Sequence, residues 1–252
     1  MTERDALFTL LIRLADDHLV LGHRLSEWCG HAPMLEEDLA LPNMALDLIG
    51  QARSLYARAG EVEGAGRTED DYAYLREERG FRNLLLVERP NGDFARTVLR
   101  NLYFAAFMRP WWEAAQGSTD GTLAAIAGKA VKESAYHVRH SAEWAIRLGD
   151  GTEESARRMK EAVEELHPYT EELFDRDEAT ETLAAAGLAP DPAAMRPAWD
   201  EAIRAVFAEA RLEVPEVPYP LRGGRAGLHT EHLGHMLAPM QYLARAHPGA
   251  SW

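Results

Sequence analysis

Apolar residues recur at three- and four-residue intervals along nearly the whole chain, the period of a helix with one buried face. Leu7, Leu10, Leu11 and Leu14, followed by His18, Leu21, Leu25 and Trp28, trace one stripe of a first long helix that Gly30 and Pro33 close. A second helix is predicted from about Leu35 to Ala59, with Leu39, Pro42, Leu46, Ile49 and Leu55 at suitable intervals. Pro42 should kink it, because an interior proline removes a backbone hydrogen bond and crowds the preceding turn. The polar, glycine-bearing stretch EVEGAGRTED is a connection. A short helix opens DDYAYLREERGFRNLLLVERPNGDF, whose LLLVE is expected as a buried helical or extended linker before an Asn91-Gly92 turn.

A third long helix is expected over about Phe94 to Ala115, with Pro110 near its end. The fourth runs from about Thr122 to Leu148 and stops at Gly149-Asp150-Gly151. Thr152 is a good N-cap for a further amphipathic helix reaching about His167. Shorter pieces follow: TEELF, ATETLAAAG with its glycine stop, and a helix near Pro192 to Ala210. VPEVPYPLRGGRAG reads as an extended arm, and a last helix spans about Leu228 to His247-Pro248. No repeat, low-complexity block or clean linker interrupts this order. The prediction is one domain over residues 1–252, all-α: a ferritin-like four-helix bundle with additional C-terminal helices.

Composition narrows the partners. With 41 acids against 27 bases the net charge is -14, which disfavours nucleic acid and anionic membrane surfaces. No apolar stretch approaches bilayer-spanning length. The acid-flanked N-terminal apolar run is unlike a secretory signal, and the lone Cys29 precludes an internal disulfide, so a cytoplasmic protein is expected. There is no G-x-S-x-G, Walker or G-x-G-x-x-G motif. Cys29, before Gly30-His31, reads as a buried small hydrophobe rather than a nucleophile, and Trp28, Trp111 and Trp112 as core or interface aromatics.

Ferritin-like bundles perform di-metal chemistry when each of four inward-facing helices supplies a carboxylate, two of them as Glu-x-x-His pairs. The stretch FARTVLRNLYFAAFMRPWW, residues 94–112, contains no acid at all. The second helix offers Asp47, but Gly50 stands three residues on; the fourth offers Glu133, followed at that spacing by Tyr136, with His137 one further. Lys129 and Lys132 lie within a turn of Glu133 and would neutralise carboxylates that hold no metal. Asp16 or Asp17, Asp47, Lys129 or Lys132, Glu133 and His137 are therefore expected as a buried polar cluster at the bundle centre. The alternative is that these groups occupy solvated faces, as most charges do. A di-metal oxygenase or ferroxidase with Asp16 or Asp17, Asp47, Glu133 and His137 as irregular ligands is the runner-up. On the last helix, His229, Glu231, His232 and His235 are spaced in steps that drift around a helix, so they are expected to pack or to face a partner. Arg76, Arg79, Arg82 and Arg89 suit phosphate, or ordinary pairing with Glu77, Glu78 and Glu88.

Four separated motifs, EWCGHAP (27–33), LALPNMALDLIGQAR (39–53), FRNLLLVERPNGDFA (81–95) and GLHTEHLGHMLAPMQYL (227–243), closely resemble one family: the C subunit of the multicomponent ring-1,2-phenylacetyl-CoA epoxidase. The family often has Gly-Pro-Met-Leu where this chain reads Gly234-His235-Met236-Leu237. The resemblance spans nearly the whole chain. It implies a ferritin-like, non-catalytic subunit that binds no cofactor itself. The di-iron centre would reside on a homologous catalytic A subunit, joined by a small B subunit and a reductase. It further implies that phenylacetyl-CoA lies at the subunit boundary, bordered by Gly80, Phe81, Arg82 and Asn83 and by Glu181, Thr182 and Leu183.

Overall fold

Helix starts follow the capping chemistry of the sequence. In the computed structural model, which describes residues 1–250, Thr2, Asp93, Asp120 and Thr152 each accept a hydrogen bond from the backbone three residues ahead, which satisfies a donor that the helix leaves free. The first long pair is α1 (Glu3–Ser26) and α2 (Leu35–Glu63). Two short pieces, α3 (Glu69–Tyr74) and α4 (Leu85–Glu88), lead to the second pair, α5 (Phe94–Ala115) and α6 (Gly121–Gly149). Then come α7 (Glu153–Leu166), α8 (Glu178–Ala185), α9 (Arg196–Glu209) and α10 (Glu231–Ala246), joined by short 3-10 segments. Among the described residues there is no strand, and no helix is long and apolar enough to cross a membrane. The all-α architecture with helices beyond the bundle is the one that periodicity predicts.

Contacts fix the directions. Arg4 reaches the carbonyls of Val62 and Glu63, while Gly22 packs on Ala45 and Ile49, so α1 and α2 run antiparallel. Asn101 meets Ser141 and Phe94 meets Trp144, so α5 and α6 do too. Gln51 with Glu133 and Asp47 with His137 place α2 antiparallel beside α6. One cluster of buried side chains fills the space between, with Trp112, Tyr56, Tyr103 and Phe104 among the largest. α5 is buried on nearly every face, consistent with the absence of acids over residues 94–112.

α2 stays helical on both sides of Pro42, as α5 does about Pro110 and α10 about Pro239. Two elements differ from expectation. The buried side of α2 includes Leu41, Met44, Ala45, Leu48, Ala52 and Leu55, whereas Leu39 and Leu46 of the expected stripe point to solvent. Two apolar tracks of similar spacing share this helix, and periodicity alone does not rank them. LLLVE is a helical turn, and 167–174 is a 3-10 segment. The arm's end folds back: residues 223–227 pack on residues 79–85 so closely that a Cβ on Gly224 would lie 1.9 Å from the Asn83 carbonyl oxygen.

Candidate functional site

Asp16 and Asp17 both bond the chain that follows α3, and each is wholly buried. Asp16 accepts from the Arg76 guanidinium, from the Tyr56 hydroxyl and, at 2.7 Å, from the backbone N–H of Arg82. Asp17 accepts from Arg225 Nη2 at 2.8 Å and Nη1 at 3.1 Å, and from the Leu84 N–H at 2.7 Å. Burial pushes the Asp17 carboxyl up to about 6, against the pull of Arg225. Both acids are thus committed to holding residues 82–84, each neutralised by one arginine.

The other polar residues of the bundle form a second network. Gln51 Nε2 donates to Glu133 at 2.7 Å, Lys129 pairs with Glu133 at 3.2 Å, and His137 Nε2 lies 3.1 Å from Asp47. Further along, His140 meets Glu37 at 2.7 Å. Deeper in the bundle stands His18, against the rings of Phe104 and Trp112, with burial lowering its pKa to about 4. Asn101 on α5 donates to Ser141 at 2.7 Å. Lys132 is exposed on the outer side of α6. The expected cluster is therefore divided. Asp16 and Asp17 belong to the arginine network, and Asp47, Lys129, Glu133 and His137 to the α2–α6 network.

This donor set does not fit a pair of metal ions. Such a centre needs unencumbered carboxylates from four helices around one point. Here α5 presents Asn101 and Phe104 to the interior, and the α1 acids are saturated by guanidinium groups. Among the described residues no three of His, Cys, Asp and Glu converge in a metal-holding group.

The segment 80–83 is built from the same arginine network. Phe81 is fully buried beneath the Arg76 guanidinium, 4.2 Å from the ring centre. Asn83 is equally buried and donates to Glu88 Oε2 at 2.9 Å. Only Gly80 and Arg82 of the four reach solvent, and Arg82 folds back onto the carbonyls of Arg79 and Phe81. On α8, Glu181 is exposed, Thr182 is half-buried and Leu183 is core. Arg225 joins the two segments. Its Nη1 donates to the Arg82 carbonyl at 2.8 Å, and its side chain helps line a cavity of about 200 Å³ with Thr180, Leu183, Arg13, Phe107 and Trp111. Glu172 completes the lock by accepting from the N–H groups of Leu85, Gly223 and Arg225.

Sequence reasoning missed His18, Gln51, Asn101, Tyr56, Glu172 and Arg225 as members of these networks. His18 carried a signal, since it interrupts the apolar stripe of α1 with a polar ring. Arg225 carried none, because 208 residues separate it from Asp17. Of the arginines near residue 82, Arg76 and Arg89 pair with Asp16 and Glu165 rather than with their acidic neighbours, which leaves Arg79 and Arg82 at the surface. His229 has both ring nitrogens against acceptors: Glu88 at 2.7 Å and the Phe81 carbonyl at 3.1 Å. Burial opposes its charge, yet these two partners raise its pKa above the ordinary value. It packs, as expected for that helix, and thereby docks α10 onto the same segment.

Comparison with known proteins places this arrangement. The family model described as "Phenylacetic acid catabolic protein" matches residues 1–252. The chain is 50% identical over 241 residues to the C subunit of 1,2-phenylacetyl-CoA epoxidase of Escherichia coli (strain K12), covering 96% of this chain and 97% of that protein.

Proposed function

The chain belongs to the phenylacetic acid catabolic protein family, and we propose that it is a non-catalytic subunit of a phenylacetyl-CoA 1,2-epoxidase complex in aerobic phenylacetate degradation. The observation that carries this reading is the identity of 50% along almost the full length of the C subunit of such an epoxidase. The saturated acids of α1 support the non-catalytic part, because a carboxylate neutralised by an arginine is not available as a metal ligand. The chemistry then belongs to a homologous partner that holds the di-iron centre, assisted by a small B subunit and a reductase, in the cytoplasm.

In this reading the chain has two tasks: to brace the catalytic partner and to shape the border of the acyl-CoA site. Gly80 and Arg82 present backbone and one cation at the surface, while Phe81 and Asn83 act from below by holding that backbone in place. On α8, Leu183 lines a cavity together with Arg225, while Glu181 and Thr182 reach the surface. Arginine suits the phosphates of coenzyme A, and on a chain of net charge -14 such cations must be placed locally.

The test is iron stoichiometry. Expressed alone in iron-rich medium, the chain is expected to hold essentially no iron, whereas the complex that it forms with the catalytic subunit holds iron and epoxidises phenylacetyl-CoA. Near-stoichiometric iron in the isolated chain would transfer the chemistry to this subunit and refute the scaffold role. Arg82→Ala in the complex is expected to raise the KM for phenylacetyl-CoA several-fold with little change in kcat. An unchanged KM removes Arg82 from the site.

A further inference from the structure

The His229 ring and the Glu88 carboxylate meet with both side chains fully buried. Nδ1 lies 2.7 Å from Glu88 Oε2, and Nε2 lies 3.1 Å from the Phe81 carbonyl oxygen. A neutral imidazole has one N–H and one lone pair, so it can satisfy only one of two acceptors. Both partners here are acceptors. The Phe81 carbonyl also takes a hydrogen bond from Arg82 Nη1 at 2.7 Å. Glu88 is filled as a carboxylate: Oε1 accepts from the Thr230 N–H at 2.6 Å, and Oε2 accepts from the Asn83 amide at 2.9 Å. The same Asn83 nitrogen donates to the Leu84 carbonyl at 3.0 Å, which fixes the orientation of that amide. A ring between two such acceptors carries a proton on each nitrogen.

The charges around the ring favour that state. Burial opposes an imidazolium, but the hydrogen bonds to Glu88 and Phe81 and the attraction of Glu88 and Asp16 outweigh it. Asp16, on α1, is itself bridged to Arg76. Arg24, also on α1, is turned to the backbone carbonyls of Glu88 and His232 and to the Glu27 carboxylate. From the turn at residues 78–80, the Glu78 carboxylate approaches Gly234. From the folded-back arm, Arg225 is committed to Asp17. On α10, Glu231 is exposed and His232 is half-buried. Among the described residues, His229 is the one ionisable side chain that hydrogen-bonds the Glu88 carboxylate.

The two ends of α10 are held differently. Toward its C-terminus, Gln241 donates to the carbonyls of Ala73 and Arg76, and Arg245 to those of Tyr74 and Arg76. No histidine takes part in those bonds. At the N-terminus, Thr230 provides no side-chain cap, and its N–H is taken by Glu88 instead. The start of the helix therefore leans on a buried carboxylate whose neutralising partner is His229. We propose that His229 is a proton latch: its doubly protonated ring pins the start of α10 to residues 81–88, and loss of one proton frees the first turns of the helix. A neutral ring would set a lone pair against one acceptor and leave the carboxylate buried without its counter-charge. The folded protein holds this proton more tightly than the ordinary value of 6.5. The latch is therefore complete below pH 6.5 and is lost as the pH rises through the folded-state value.

The experiment is a pH titration of the full chain labelled with 15N, from about pH 6 to about pH 9, with two readings. Ring 15N spectra are expected to show one histidine still doubly protonated at about pH 7, with its midpoint above 6.5 and its signal absent from His229→Gln. Amide exchange at Met236 and Leu237 is read as protection factors, so that base catalysis of exchange is divided out. These factors should fall about ten-fold per pH unit beyond the histidine midpoint, and should stay flat with pH in His229→Gln. Both wild-type readings decide the matter even if the variant fails to fold. A singly protonated His229 ring at about pH 7 overturns the latch. So do protection factors in α10 that stay constant across the midpoint, because the proton would then do nothing to the helix.

Discussion

Asp17 and Arg225 show how a single pair can decide local structure. The carboxylate is almost fully buried and the guanidinium mostly so, and between them they tie α1 to two loops distant in sequence. Buried pairs of this kind gain little over apolar replacements, but removal of one partner leaves an uncompensated charge in the interior. Arg225→Met is therefore expected to cost about 3–5 kcal/mol of unfolding free energy. Adding Asp17→Asn to it should recover part of that loss, because the neutral amide tolerates burial. Urea denaturation of the two variants checks this; equal stability of the single and double variants would show that Asp17 takes up a proton once Arg225 is gone. Asp16 has one further side-chain donor, the Tyr56 hydroxyl, beside its arginine and the Arg82 N–H.

At the scale of elements, the stretch 222–227 performs a task its composition conceals. As a glycine-rich end to a proline-rich arm it looks extended, yet it closes over residues 79–85 at backbone contact distance. Gly224 is required for lack of space, and Gly227 both for its φ of 76° and for its approach to the Arg79 carbonyl oxygen, 2.7 Å from a Cβ there. Gly224→Ala is expected to destabilise the fold by about 1–3 kcal/mol and to lift the arm from the segment. Hydrogen exchange would show this as faster exchange at the amides of Arg82, Leu84 and Leu85, which Asp16, Asp17 and Glu172 now hold. Unchanged exchange there would mean that the arm and the segment are independent. The same element-level view explains α2, where the buried face and the face open to solvent both carry leucines.

For the whole molecule, buried titratable groups set the response to acid. Burial lowers His18 and His167 to about 4 from 6.5, so unfolding takes up protons in that interval. Their contribution to stability is complete above pH 6.5 and is lost as the pH falls toward 4. Asp17, raised to about 6, has the opposite sign and gains stability over the same fall. His23 reinforces the histidines and Asp175 reinforces Asp17. The histidines prevail, and a net loss on the order of 1 kcal/mol per pH unit is expected between pH 6 and 4. Denaturation midpoints measured at half-unit steps should fall along that slope, and His18→Phe should flatten it. A midpoint that rises on acidification would place the dominant proton uptake elsewhere.

Periodicity in the amino-acid sequence by itself determined the all-helical class, the two long pairs and most helix ends, because capping side chains and turn glycines act on residues three or four positions away. It also determined that residues 94–112 of α5 offer no carboxylate, since composition needs no coordinates. The tertiary structure alone decided three things. It chose which apolar track of α2 faces inward, a matter of which neighbour supplies the complementary surface. It divided the expected polar cluster, because Asp16 and Asp17 find their arginines 60 and 208 residues away, and no local rule encodes contacts of that range. It folded the arm onto residues 79–85 and so joined two proposed substrate-bordering segments through one arginine. Local order is set by short-range chemistry that a sequence displays directly, whereas partners in space exist only after the chain has packed.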